Sequence, residues 1–123
     1  MQKKILVLDD EDVICEVLDE ELSAQGYIVR TTCTGSAALR AIKEESFDLL
    51  LVDLKLPVRP TGIEVIKWFK DRCPDAKVLV MTGYPDTALE HDALVAGADG
   101  YLSKPGDIQP GNIVKHVKKI LNG

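Results

Sequence analysis

Five short apolar runs recur along the chain, at residues 5–8, 27–31, 49–52, 78–81 and 100–102. Those at 5–8, 49–52 and 78–81 are apolar on consecutive rather than alternate residues. That pattern marks a strand covered on both faces, as in a parallel sheet. Between the runs the apolar residues adopt a helical spacing. Residues 12–24 carry Val13, Ile14, Val17, Leu18 and Leu22 and stop at Gly26. Similar stretches cover 35–45, 62–71, 86–96 and 110–121. Gly97 follows the fourth and Pro110 opens the fifth, where a missing backbone N–H costs nothing.

The alternation is (βα) repeated five times. It predicts an α/β fold, a three-layer sandwich of five parallel strands with right-handed crossovers. The length of 123 residues suits one domain over residues 1–123. With 46% apolar residues the chain can bury a core without staples. The net charge of −5 argues against a nucleic-acid surface as a direct partner. No apolar stretch approaches a membrane span, and the acids that follow residues 5–8 spoil a signal-peptide pattern. Cys15, Cys33 and Cys73 are odd in number and widely spaced, which suits reduced thiols in a cytoplasmic setting.

The charged residues change this picture where strands end. In a parallel sheet all C-terminal strand ends share one edge, and ligands bind there. Asp9 and Asp10 follow the first strand and Asp53 the third, while Thr82 follows the fourth and Lys104 the fifth. If the first and third strands are neighbours, three carboxylates converge. Two such charges about 4 Å apart repel by roughly 4 kcal/mol at a surface-like dielectric. A hard divalent cation offsets that, and Mg²⁺ takes carboxylate, water and phosphate oxygens. A carboxylate such as Asp53 can be a phosphoryl nucleophile, with Lys104 and Thr82 serving the phosphoryl oxygens.

The stretches "VLDDED", "DLLLVDLKLP", "VLVMTGY" and "AGADGYLSKP" stand in this order along nearly the whole chain. Together they resemble the receiver domain of two-component response regulators. The resemblance implies a flavodoxin-like strand order 2-1-3-4-5. It implies that Asp53 is phosphorylated by a histidine kinase, or through a phosphotransfer protein. Mg²⁺ would be held by Asp9, Asp10, Asp53 and the backbone carbonyl of Lys55. Thr82 and Tyr101 would form a switch pair, Lys104 would contact the phosphate, and the bond before Pro105 would be cis. The module would be a phosphoacceptor rather than a turnover enzyme. It would signal through the surface of the fourth helix, fifth strand and fifth helix, to an output domain, a partner protein or a second copy. Lys55 and Tyr84 occupy positions that flank such a site. The chain departs from the family in the longer spacer "VRPT" after "LP", in Thr61 before Gly62, and in Gly106 after Lys104-Pro105.

Simpler roles compete. Glu11 and Asp12 read as helix caps, and Cys15 and Trp68 as packing residues. His91 and His116 read as solvated helix faces. A haloacid-dehalogenase-type phosphatase fits less well, because its two acids stand two apart after the first strand and here Asp9 and Asp10 are adjacent. A flavodoxin-like electron carrier fits less well too, since four acids there would repel a flavin phosphate.

Overall fold

The computed structural model describes residues 2–83 and 86–122. Ten elements alternate: β1 (Lys4–Leu8), α1 (Asp12–Ala24), β2 (Ile28–Thr32), α2 (Gly35–Glu44), β3 (Leu49–Asp53), α3 (Gly62–Arg72), β4 (Lys77–Thr82), α4 (Thr87–Ala96), β5 (Gly100–Ser103) and α5 (Pro110–Asn122). The strands form one parallel sheet in the order β2-β1-β3-β4-β5.

The consecutive apolar runs now have a physical reason. Alternate residues of each central strand feed two separate cores. Leu6, Leu8, Leu50, Val52, Val78 and Val80 pack with Ala38, Ile42, Val65, Phe69 and Ala93 from α2, α3 and α4. Ile5, Val7, Leu49, Leu51, Leu79 and Met81 pack with Leu18, Leu22, Ile113 and Val117 from α1 and α5. β2, at the sheet edge, lacks this pattern and is only partly covered. Its Arg30 is ion-paired with Glu44 at 3.0 Å and Glu45 at 2.7 Å, placing charge on an edge that would otherwise invite pairing.

Local chemistry sets the helix starts. Thr34 caps α2 by accepting from the Ala37 N–H, and Asp86 caps α4 by accepting from the Leu89 N–H. Thr61 and Glu64 form a reciprocal capping box at α3, and Arg59 holds the Glu64 carboxylate with two hydrogen bonds of 2.9 and 3.0 Å. α4 ends at Gly97, whose φ of 125° excludes most side chains.

Two expectations need correction. The second strand starts one residue later than the apolar run, because the Tyr27 N–H closes the end of α1 onto the Leu22 carbonyl. Trp68 is 41% exposed and is not a packing residue of the core. The buried stripe of α3 runs through Val65, Ile66 and Phe69, and Trp68 falls beside it.

α3 approaches β3 closely at its first residue. A Cβ on Gly62 would lie 2.5 Å from the Asp53 carbonyl oxygen and 2.9 Å from the Leu54 Cα, both backbone atoms that cannot step aside. Gly62→Ala is therefore expected to destabilise by about 1–3 kcal/mol in urea unfolding. Gly111→Ala, in open space on α5, is expected to stabilise by about 0.4–1 kcal/mol. Equal stabilities for the two variants would refute the close approach.

Candidate functional site

β1 and β3 are adjacent, with Leu8 opposite Val52, so the residues that follow them emerge side by side. Asp9, Asp10 and Asp53 each offer a carboxylate oxygen within 4.8 Å of the others. Asp9 is fully buried, Asp53 is nearly so, and Asp10 is exposed. Backbone amides fix two of them. The Glu11 N–H donates to Asp9 Oδ1 at 2.9 Å, and the Lys55 N–H donates to Asp53 Oδ1 at 3.0 Å.

Lys104 reaches into this cluster from the end of β5. Its Nζ lies 2.6 Å from Asp9 Oδ2, 3.2 Å from Asp53 Oδ2 and 3.3 Å from Glu11 Oε2. The Lys104 N–H donates to the Thr82 carbonyl at 2.8 Å, and the Lys104–Pro105 bond is cis. A second cis bond, at Arg59–Pro60, lies in the loop after β3.

Burial dominates the electrostatics. It raises the Asp9 and Asp53 carboxyls above the ordinary range, and Lys104 opposes it in each case. Burial would also push the Lys104 ammonium down, but its bonds to Asp9 and Asp53 outweigh that and leave it raised. Lys104 thus draws both carboxyls back toward ionisation without cancelling the effect of burial.

The donor set suits a hard divalent cation. It is three carboxylates without a soft ligand, which matches oxygen-preferring ions. Asp9 Oδ2 is a buried oxygen without a well-aligned hydrogen bond, although it faces the Lys104 ammonium. Beside it lies a cleft of about 510 Å³, lined by Asp10, Glu11, Ile14, Asp53, Lys55, Gly83, Lys104, Pro105 and Ile108. A phosphoryl group would fit within that volume.

Thr82 ends β4, buried, next to the Lys104 backbone. Tyr101 is half-buried and stands apart from the carboxylates. Its hydroxyl donates to the Glu90 carbonyl of α4 at 2.6 Å. Tyr84 lies outside the described residues. Glu11 begins α1 but its side chain makes no capping bond, contrary to the expectation of a cap. It binds Lys104 instead, a partner 93 residues away that no local pattern announces. Cys15 is buried as expected, and its thiol also donates to the Asp9 carbonyl at 3.3 Å.

A parallel sheet carrying this constellation at its C-terminal edge defines a phosphoacceptor class of signalling domain. The chain belongs to the response regulator receiver domain family, whose model matches residues 5–118. It is a receiver domain of the kind found in two-component response regulators. It is 35% identical to the transcriptional regulatory protein LnrK of Bacillus subtilis (strain 168), over 98% of this chain and 54% of that protein. It is 36% identical to the alkaline phosphatase synthesis transcriptional regulatory protein PhoP of the same organism, over 98% of this chain and 49% of that protein. The chain thus spans about half the length of these relatives. Among solved structures it resembles a CheY-like receiver domain protein from Methanospirillum hungatei JF-1. The TM-score there is 0.92 at 32% identity, covering 99% of this chain and 95% of that one. A response regulator protein from Burkholderia pseudomallei, with a phosphorylated aspartic acid, calcium ion and citrate, has a TM-score of 0.81 at 32% identity. That match covers 99% of this chain and 75% of the other. Among the described residues no helix is long and apolar enough to cross a membrane.

Burial, and then the nearby Asp9 charge, push the Cys15 thiol from 9.0 up to about 11. Its protonated form carries stability that is intact below pH 9.0 and lost as the pH rises toward about 11. Iodoacetamide at mildly alkaline pH is expected to modify exposed Cys33 and to spare Cys15 and Cys73 until the chain unfolds. Peptide mass mapping reads this directly, and early labelling of Cys15 would contradict the buried placement.

Proposed function

We propose that Asp53 accepts a phosphoryl group from a sensor histidine kinase or a phosphotransfer protein, with Mg²⁺ at Asp9, Asp10, Asp53 and the Lys55 carbonyl. The observation that carries this reading is the convergence of Asp9, Asp10, Asp53 and Lys104 at one sheet edge. When bound, Mg²⁺ neutralises charge on the carboxylates and on the phosphoryl oxygens.

A carboxylate oxygen of Asp53 forms the new bond to phosphorus as the bond between phosphorus and the donor's leaving atom breaks. The leaving group departs with that electron pair, and the product is a mixed anhydride, the aspartyl phosphate. Little covalent work falls to the protein beyond positioning and charge neutralisation. The Lys55 N–H holds Asp53 Oδ1, which leaves Oδ2 toward Lys104 as the reacting side. Lys104 then supplies a point cation to a phosphoryl oxygen, and the Thr82 hydroxyl donates to another. Water later hydrolyses the anhydride to the Asp53 carboxylate and inorganic phosphate, and the role of the domain is that of a phosphoacceptor that signals while phosphorylated rather than a turnover enzyme.

Phosphorylation adds charge and acceptor oxygens beside Thr82 and Lys104. Drawing the end of β4 toward them shifts the balance between Tyr101 bonded to Glu90 and alternative positions of that ring. The face of α4, β5 and α5 changes with it. That face is where an output domain, a partner protein or a second copy would read the signal, in a cytoplasmic setting.

Incubation with Mg²⁺ and acetyl phosphate is expected to give a base-labile adduct of one phosphoryl group by mass. Asp53→Asn should reduce it to background with the fold intact by circular dichroism. Uptake by that variant at the wild-type rate would overturn the assignment. The raised Asp9 and Asp53 carboxyls add a pH dependence. Their protonated forms favour folding, a contribution fully present below the ordinary value of 3.8 and lost as pH rises through the raised values. Mg²⁺ affinity runs the opposite way. It is expected to fall on acidification, starting above the usual carboxylate range, in calorimetric titrations at a series of pH values. A pH-independent affinity down to 3.8 would contradict the raised carboxyls.

A further inference from the structure

Resting on that reading of the site, we infer that Glu11 is a positioning residue that holds Lys104 in reserve and must release it before a phosphoryl group can be gripped. The Lys104 ammonium has three N–H donors. Three carboxylates already surround it, those of Asp9, Asp53 and Glu11. Glu11 and Asp53 accept hydrogen bonds from it and Asp9 is ion-paired with it, so a phosphoryl oxygen that approaches Lys104 competes with these contacts. Asp9 is the shortest contact and is fully buried, so it is the costliest to break. Asp53 is the residue that would carry the phosphoryl group itself. Glu11 is the longest contact, at 3.3 Å, with a side chain 60% exposed to water that can resolvate it. It is the partner that leaves.

A second observation points the same way. Thr34, Thr61 and Asp86 each cap their helices with a side-chain hydrogen bond. Glu11 occupies the equivalent place before α1 and makes none. Its two-methylene side chain reaches across to the loop after β5 instead. Glutamate is not among the residues preferred at that position, whereas aspartate is. Helix α1 thus starts without a cap, while the same residue serves the lysine.

Aspartate at position 11 separates the two ways in which Glu11 could act. It keeps the negative charge at the mouth of the cleft, but its shorter carboxylate turns back onto the α1 N–H groups and lets go of Lys104. Beryllofluoride binding in the presence of Mg²⁺, followed by NMR titration, is the test. Both Glu11→Gln and Glu11→Asp are expected to bind beryllofluoride about three- to fivefold more tightly than the wild type, the range of an exposed ion pair. Glu11→Asp should also unfold at a higher temperature without metal, as a newly capped helix would. The affinity gain of Glu11→Gln should shrink at high salt, since the contact it removes is solvent-exposed. A gain in Glu11→Gln alone would mean that only the charge at the mouth matters, and would overturn the holding role. Unchanged or weaker binding in both variants would overturn it as well. If the wild type itself takes no beryllofluoride, the phosphoacceptor reading fails and this inference falls with it. Binding by the wild type with no gain in the variants sinks the inference alone.

Discussion

The arrangement depends on one ammonium group. A parallel sheet brings the ends of β1 and β3 together and so forces Asp9 and Asp53 into a shared, largely dry site. Left to themselves, these charges would repel each other and lose hydration, and both effects oppose folding. Lys104 answers both at once from the far side of the sheet, across β4. The chain end of β5 is placed for this by its backbone bond to Thr82 and by pairing with β4. The same contact that makes the resting domain tolerable also leaves a cation beside Asp53.

Much of this was legible in the sequence because it follows from strict periodicities. Runs such as ILVL and LLLV have one physical home, a strand covered on both faces, and strand ends then locate Asp9, Asp53, Thr82 and Lys104 without further information. Other features were not legible, because they come from tertiary distance. Nothing around Glu11 distinguishes a cap from a residue reaching 93 positions along the chain. Trp68 looked like core because large aromatics usually are, yet the helical angle that buries Val65 and Phe69 turns it outward. The start of β2 depended on how α1 closes its last turn, which no apolar pattern records.

Stability and function are distributed unevenly over the fold. Helices on the α2–α4 face carry good caps and a reinforced start at α3, where Arg59 and Glu64 lock the first turn. Lys70 adds to this by donating to the Ala76 carbonyl at 2.6 Å and to Asp99 at 3.2 Å, and Asp99 also accepts from the Val78 N–H. These bonds tie α3 to both ends of the loops around β4. On the α4–β5 side, the Tyr101 hydroxyl links strand to helix through the Glu90 carbonyl. Under the proposed switching of the α4–β5–α5 face, firm support on the other side would confine the change.

The loop after β3 has a consequence for how such domains exchange parts. Pro60 presents its carbonyl oxygen 2.2 Å from where a Cβ of Gly35 would stand, so the loop is seated directly on the first turn of α2. Loop and helix entrance are therefore packed as one unit. A shorter loop transplanted from another family member would leave the bare backbone at position 35 facing a gap. A side chain installed at 35 would collide with the Pro60 carbonyl and push the native loop away. A change in this loop's length thus bears on the α2 entrance, because two segments far apart in the sequence meet at Gly35 and Pro60.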